Sequence, residues 1–256
     1  MNKVALKIMS KAKRALRDPL IILVWILFRF KSLLSDRFCL KLMYYSQFER
    51  KLDLTNPQTY SEKIQWLKLN DRNPLYPTIV DKYNGKEFVR GIIGDKHIIP
   101  TLGVWNKFDD IDFDSLPNQF VLKCTHDSGS VIICSDKSKF DLKTSRKKLT
   151  KALKRNSYPV SREWPYKNLK HRIIAEKYMA DESNTDLADY KFFCFDGTPK
   201  AMFIATDRPY DTKFDFYDME FNHLPFTNGH KNAIKPIAKP LNWNLMIELA
   251  QKLSQD

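Results

Sequence analysis

Apolar residues in this chain fall into short runs whose spacing switches between the two-residue period of a strand and the longer period of a helix. Residues 120–134, FVLKCTHDSGSVIIC, put two β-prone runs, FVLKC and VIIC, on either side of a small polar loop, which predicts a hairpin with a mobile tip. IIPTLGVW (98–105) and HRIIAEKYM (171–179) read as extended. DYKFFCF and KAMFIAT form a second predicted hairpin, because the Asp196-Gly197 dipeptide between them favours a tight turn. KFDFYD (213–218) alternates charged and aromatic side chains as a half-exposed strand does.

Helical spacing fills most of the remainder. Thr59 and Glu62, after Pro57, have the spacing of a capping box and open a helix whose Ile64, Trp66 and Leu67 face a core, with Asn73 and Pro74 ending it. A second helix is predicted from Thr78 to a stop at Gly91 or Gly94, and Gly85 weakens it. Residues 140–157, FDLKTSRKKLTKALKRNS, carry Leu142, Leu149 and Leu153 among basic residues, the pattern of an amphipathic helix with a cationic outer face. The tail LNWNLMIELAQKLSQD is one more amphipathic helix.

The most apolar run, LIILVWILF (20–28), is short for a bilayer span, and Arg29 and Lys31 follow at once. The basic segment ahead of it, including Lys3, Lys7, Lys11, Lys13, Arg14 and Arg17, is longer than a secretory leader needs, and no small-residue cleavage site follows. Residues 1–34 therefore read as a basic and apolar helical segment: an interfacial helix with its cations on anionic lipid, or a packing element on the domain that runs from residue 35 to 256.

Composition narrows the partners. The 256 residues are 43% apolar and 13% aromatic, enough for a real core. Forty-three Lys and Arg against 30 Asp and Glu leave a net charge of +13, which favours an anionic partner: a nucleotide, a membrane surface, an acidic polymer or nucleic acid. The aromatics read as strand core and no nucleic-acid motif appears, which counts against the last. Cys39, Cys124, Cys134 and Cys194 include no CxxC pair, so reduced thiols in a cytoplasmic protein are expected and no zinc site is visible.

Lys123 carries the most chemical content. It has apolar neighbours on both sides, so its ammonium must reach a partner or leave through a pocket, because an unpaired buried charge is costly. A phosphate satisfies it, and the Thr125, Ser128 and Ser130 hydroxyls with the backbone N–H groups around Gly129 follow directly. A lysine running out to water along its aliphatic stem satisfies it equally. Asp112-Phe113-Asp114 has the Asp-x-Asp spacing of a nucleotide-sugar glycosyltransferase, in an acid-rich loop where solvated carboxylates are the default.

In order along the chain stand SEKIQWLKLNDRNP, DKY, IIPTLGVW, FVLKCTHDSGS, RIIAEKYM and DYKFFCFDGTPK, and this ordered set resembles the TupA-like ATP-grasp family of bacterial teichuronopeptide and surface-polysaccharide biosynthesis. The resemblance spans residues 35–225 and implies an α+β fold whose two lobes clasp ATP between antiparallel sheets. It implies that Lys123 binds phosphate oxygens and that the loop holding Thr125, Ser128, Gly129 and Ser130 closes over them. Glu176 is implied to accept from the adenine amino group, with the backbone of Lys177, Tyr178 and Met179 as the hinge edge of the purine pocket. Lys191, oriented by Asp189, is the implied second phosphate contact. From the residues alone, Glu176 is equally a carboxylate paired across a sheet and Lys191 a solvent-facing position.

The implied activity is ATP-dependent carboxylate–amine ligation, with Lys123 and Lys191 as the catalytic cations and Mg²⁺ held by carboxylates. A carboxylate attacks the γ-phosphorus to give an acyl phosphate, and an amine then displaces phosphate. In the family the metal ligands lie on a late strand pair resembling RVDFY and GEITFYPGSG, and the sequence stops at Asp256 before either. No metal ligand is therefore identified. The second lobe is expected to lack its final strands, which leaves 200–206 and 213–218 as exposed strands and turnover low. Asp207, Asp211, Asp215 and Asp218 are the candidate replacements, since Mg²⁺ needs only one or two protein carboxylates. The alternatives are a glycosyltransferase acting on a sugar substrate and a non-catalytic basic module on anionic lipid or acidic polysaccharide, carried by the +13 charge and the basic 143–155 face.

Overall fold

A computed structural model describes residues 26–27, 29–180, 187–207 and 211–255, which form two units. Most of the run LIILVWILF, and with it the predicted interfacial helix, lies outside the described residues. Among those described, no helix is long and apolar enough to cross a membrane.

The first unit gathers the described residues through Asp81 with Lys151–His171. Helix α1 (Asp36–Phe48) starts where the Ser35 hydroxyl accepts the Phe38 N–H, and ends at Glu49, whose left-handed φ of 55° turns its N–H back to Tyr45. Leu40 and Tyr44 of α1 pack with Leu52 and Leu54 as its core. Helix α2 (Tyr60–Asn70) carries the predicted capping box: Thr59 Oγ1 accepts the Glu62 N–H at 3.3 Å, and Glu62 accepts the Thr59 N–H at 2.9 Å. Its predicted core face differs. Trp66 and Leu67 are exposed, and Leu69 is the residue that joins the Leu40 cluster. The short helix α6 (Tyr158–Ser161), with Pro159 in its first turn, ends at Arg162, whose guanidinium is buried against α1. There Nη1 donates to Asp36 at 2.8 Å and Nη2 lies 3.0 Å from Cys39 Sγ, while the Tyr158 hydroxyl donates to the other Asp36 oxygen.

The helix predicted from Thr78 is two helices, α3 (Tyr76–Val80) and α4 (Lys82–Ile93), broken at Asp81. Pro77 sets the start of α3. Asp81 is extended, and the Lys82 N–H donates to Thr125 O at 2.9 Å instead of continuing the helical ladder. Gly94, at φ 81°, follows the end of α4, the conformation that a glycine stop requires.

The second unit is Lys82–Thr150 with the described residues from Arg172 onward. Its first sheet has the order β1 (Thr101–Trp105), β4 (Ile173–Lys177), β2 (Phe120–Cys124), β3 (Ile132–Cys134), all antiparallel. Phe120, Leu122 and Cys124 of β2 are fully buried on one face, where Phe113 and Phe140 meet the Phe120 ring. Val121 and Lys123 project from the other. Helix α5 (Leu142–Leu153) buries Ser145, Leu149 and Ala152, not the predicted Leu142, Leu149 and Leu153 stripe; Leu142 is half exposed. Leu142 lies a heptad before Leu149 and shares its face, but it is the first residue of the helix and stays half exposed there.

The second sheet runs in sequence order, β5 (Asp189–Phe195), β6 (Thr198–Thr206), β7 (Lys213–Tyr217), β8 (His223–Leu224), again antiparallel. Asp196 and Gly197, at φ 48° and 68°, make the predicted tight turn. Helix α7 (Trp243–Ser254) packs on β5 and β6, and Trp243 closes a core with Met202, Ile204 and Tyr217. The expectation of exposed strands at 200–206 and 213–218 is corrected: β6 lies between β5 and β7, and β8 pairs the outer side of β7. Phe216 and Tyr217 are accordingly buried rather than half exposed. The architecture is α+β with two antiparallel sheets. All four cysteines are free, and Cys39, Cys124 and Cys134 are buried.

Candidate functional site

The register of the first sheet brings its chemistry together. Val121 stands opposite Glu176 and Lys123 opposite Ile174, so Lys123 and Glu176 are diagonal neighbours on one face. Lys123 Nζ pairs with Glu176 Oε2. Lys86 comes from α4 to the other oxygen, Oε1, at 2.9 Å. All three side chains are largely buried, Glu176 at 6% exposure, Lys86 at 15% and Lys123 at 22%.

Burial alone pushes the Glu176 carboxyl upward, but the hydrogen bonds and charges of Lys123 and Lys86 outweigh it and hold the group below the usual glutamate value. The carboxylate is therefore ionised, and two ammonium groups share it. One positive charge is left over on a poorly hydrated surface, and an anion is the ligand that such a surface accepts. Both oxygens of Glu176, the carboxylate implied to meet an adenine, face lysines.

Sequence reasoning missed Lys86, because a lysine on a helix is solvated by default. A signal was present: Lys82, the lysine of the DKY motif, recurs with Lys86 and Arg90 every four residues along α4. Lys82 Nζ donates to the Asp127 carbonyl and so ties α4 to the loop after β2.

That loop is anchored at its base rather than mobile throughout. Thr125 donates its N–H to Arg172 O at 2.9 Å and is fully buried. Ser130 Oγ accepts the Cys124 N–H at 2.8 Å and donates to Asp127, so its hydroxyl already serves the turn. Ser128 and Gly129 are exposed at the tip, and a Cβ on Gly129 meets nothing within 4 Å. At the far end of β4 the Lys177 N–H donates to Pro100 O at 3.0 Å, and Lys177 and Tyr178 border a cleft of about 460 Å³ with Leu102, Asn118 and Gln119. Met179, next along, is exposed.

In the second sheet Lys191 Nζ lies 2.7 Å from Asp189 Oδ2 and 5.5 Å from the Phe203 ring centroid. The face it shares with Phe193 and Phe203 is opposite the one that α7 covers. The four aspartates considered for a metal are not gathered. Asp215 pairs with Ile204 on the α7 side, away from Lys191, and its oxygens accept the Ala233 N–H at 3.0 and 3.2 Å and face His223 Nε2 at 3.2 Å. Asp211 pairs with Lys213, and Asp218 accepts from Asn222 at 2.7 and 2.9 Å. Among the described residues no group of three or more His, Cys, Asp or Glu is placed to hold a metal ion.

The Asp-x-Asp triplet is a piece of loop structure. Asp112 Oδ1 accepts the N–H groups of Asp114 and Ser115 at 3.1 and 3.4 Å, and Phe113 between the acids packs on Phe108, Phe120 and Phe140. A family model described as TupA-like ATPgrasp matches residues 62–256. No curated protein and no solved structure matches the chain.

Proposed function

We propose, because the chain belongs to the TupA-like ATP-grasp family, that it is an ATP-dependent ligase joining a carboxylate to an amine in the assembly of a bacterial surface polysaccharide. The observation that supports this reading best is the cluster of Lys86, Lys123 and Glu176, two ammonium groups on one buried carboxylate. On this reading the surplus positive charge meets the phosphates of ATP, the Ser128–Gly129 tip folds over them, and Lys191 is a further cation at the transferring group. The purine lies against the hinge at Lys177, Tyr178 and Met179. The work is done at the cytoplasmic face of the membrane.

The chemistry asks mainly for positioning and charge neutralisation. An oxygen of the acceptor carboxylate forms a bond to the γ-phosphorus as the bond to ADP breaks. The amine nitrogen then bonds to the acyl carbon, phosphate departs, and the amine gives up a proton. Glu176 keeps Lys86 and Lys123 oriented while ligand phosphate is absent, so the cations need little rearrangement when it arrives. Mg²⁺ supplies further neutralisation when bound with ATP, but the aspartates among the described residues do not form a set that fits it, and none of these steps is routed through it.

The test is release of ADP from purified protein given ATP, Mg²⁺ and separate pools of carboxylates and amines. The expected result is ADP release that needs one member of each pool. Transfer from a nucleotide sugar with no ATP requirement would replace this reading with the glycosyltransferase one.

A further inference from the structure

A second cleft lies wholly in the first unit, with a volume of about 320 Å³, between α2, α3 and the turn Trp164–Tyr166. Ile64, Leu67 and Val80 give it an apolar wall, and its rim carries charge of both signs. On the cationic side, Arg72 lies over the Trp164 ring at 5.3 Å and donates through Nη1 to the carbonyls of Lys68 and Asp71, at 2.7 and 3.0 Å. Nη2 and Nε remain for a ligand. Lys68 stands beside it and donates to Ser161 O at 3.0 Å, with two further N–H groups on the same nitrogen. On the acidic side, Glu163 is 46% exposed and 3.9 Å from Lys68 Nζ, beyond hydrogen-bond reach. Asp71 accepts the Tyr76 hydroxyl at 2.7 Å.

We propose that this cleft binds an α-amino acid with an apolar side chain. Its carboxylate meets Arg72 and Lys68, its ammonium meets Glu163 with Asp71, and its side chain lies on the Ile64–Val80 wall. A ligand that is only anionic faces two carboxylates of its own sign. Arg72 lies over the Trp164 ring, so a sugar stacked there has only the other side of that ring. A zwitterion matches both rims at once. Taking the bound amino acid as the amine to be joined rests on the ligase reading, whereas the binding itself stands without it.

Titration calorimetry of the full chain with L-leucine, N-acetyl-L-leucine and L-leucinamide tests the inference. L-leucine should saturate the protein, and each capped compound should bind about ten-fold more weakly or worse. Glu163→Gln should erase the preference over N-acetyl-L-leucine, and Arg72→Gln the preference over L-leucinamide. Should Arg72→Gln fail to fold, the capped compounds on the unaltered chain and the surface variant Glu163→Gln still decide. Failure of L-leucine to saturate at millimolar concentration, or equal binding of all three compounds, overturns the proposal. ATP-induced thermal stabilisation is measured alongside. If ATP stabilises and L-leucine does not bind, this inference alone fails; if L-leucine binds and ATP does not, the cleft stands and the ligase reading falls.

Discussion

Lys86 and Glu176, 90 residues apart in the sequence, meet at 2.9 Å with both side chains largely buried, and Lys123 holds the carboxylate from its other side. Replacing Glu176 by Gln leaves two ammonium groups poorly hydrated and facing each other. A loss of about 2–4 kcal/mol in urea unfolding is expected. The pH dependence has a definite sign. The folded carboxyl sits below its ordinary 4.5, so the unfolded chain binds the proton more tightly. Its contribution is complete above that ordinary value and is lost as pH falls through the lower, folded one. The stability of the unaltered chain should therefore fall more steeply on acidification below pH about 5 than that of Glu176→Gln. Parallel curves would mean that the lysines reach water and the pair is incidental.

Asp112 is a turn residue, so Asp112→Ala should cost about 1 kcal/mol, while Asp114→Ala stays within about 0.5 kcal/mol. Neither should alter binding of Mn²⁺ with a nucleotide sugar, followed by calorimetry. A loss of such binding in both variants would restore the triplet as a metal site.

Gly129 has open space where a Cβ would go and no backbone requirement for glycine, so Gly129→Ala should leave the urea midpoint unchanged. If the loop tip approaches phosphate through its N–H groups, the added methyl should weaken ATP binding about three-fold or more, on the scale of a few tenths of a kcal/mol to one. Unchanged ATP affinity would leave the loop out of the site.

Residues 1–31 and the exposed Lys143 and Lys147 of α5 are proposed to bring the chain to anionic lipid. Flotation with phosphatidylserine vesicles should capture the full chain at low salt and release it as salt rises. Deletion of residues 1–31 should lower capture, and Lys143→Glu with Lys147→Glu should lower it further. Capture unaffected by either change would assign these cations to solvation.

Local features were legible before the fold was known. The Thr59–Glu62 capping box and the Asp196-Gly197 turn depend on residues close in sequence, and both formed. The apolar alternation of β2 separated Lys123 from its buried neighbours correctly. What sequence could not supply was the partner each residue meets from far away. Lys86 looked like a solvated helix lysine until Glu176 arrived from β4, and the helix from Thr78 broke because Lys82 gave its N–H to Thr125 O. The β7 strand looked half exposed because the two-residue β8 beside it is too short to announce itself. Asp215 seemed a partner for its neighbouring aspartates, yet strand alternation turned it to the α7 face, where the 233 backbone takes it up.

The central claim is that Lys123 and Lys86 together hold nucleotide phosphate, and thermal stabilisation by ATP measures it most directly. The account predicts that saturating ATP raises the melting temperature of the unaltered chain, that Lys123→Ala abolishes most of that rise, and that Lys86→Ala reduces it, with both variants still folding cooperatively. Equal rises in all three proteins would contradict the claim and return Lys123 to the role of a structural partner for Glu176.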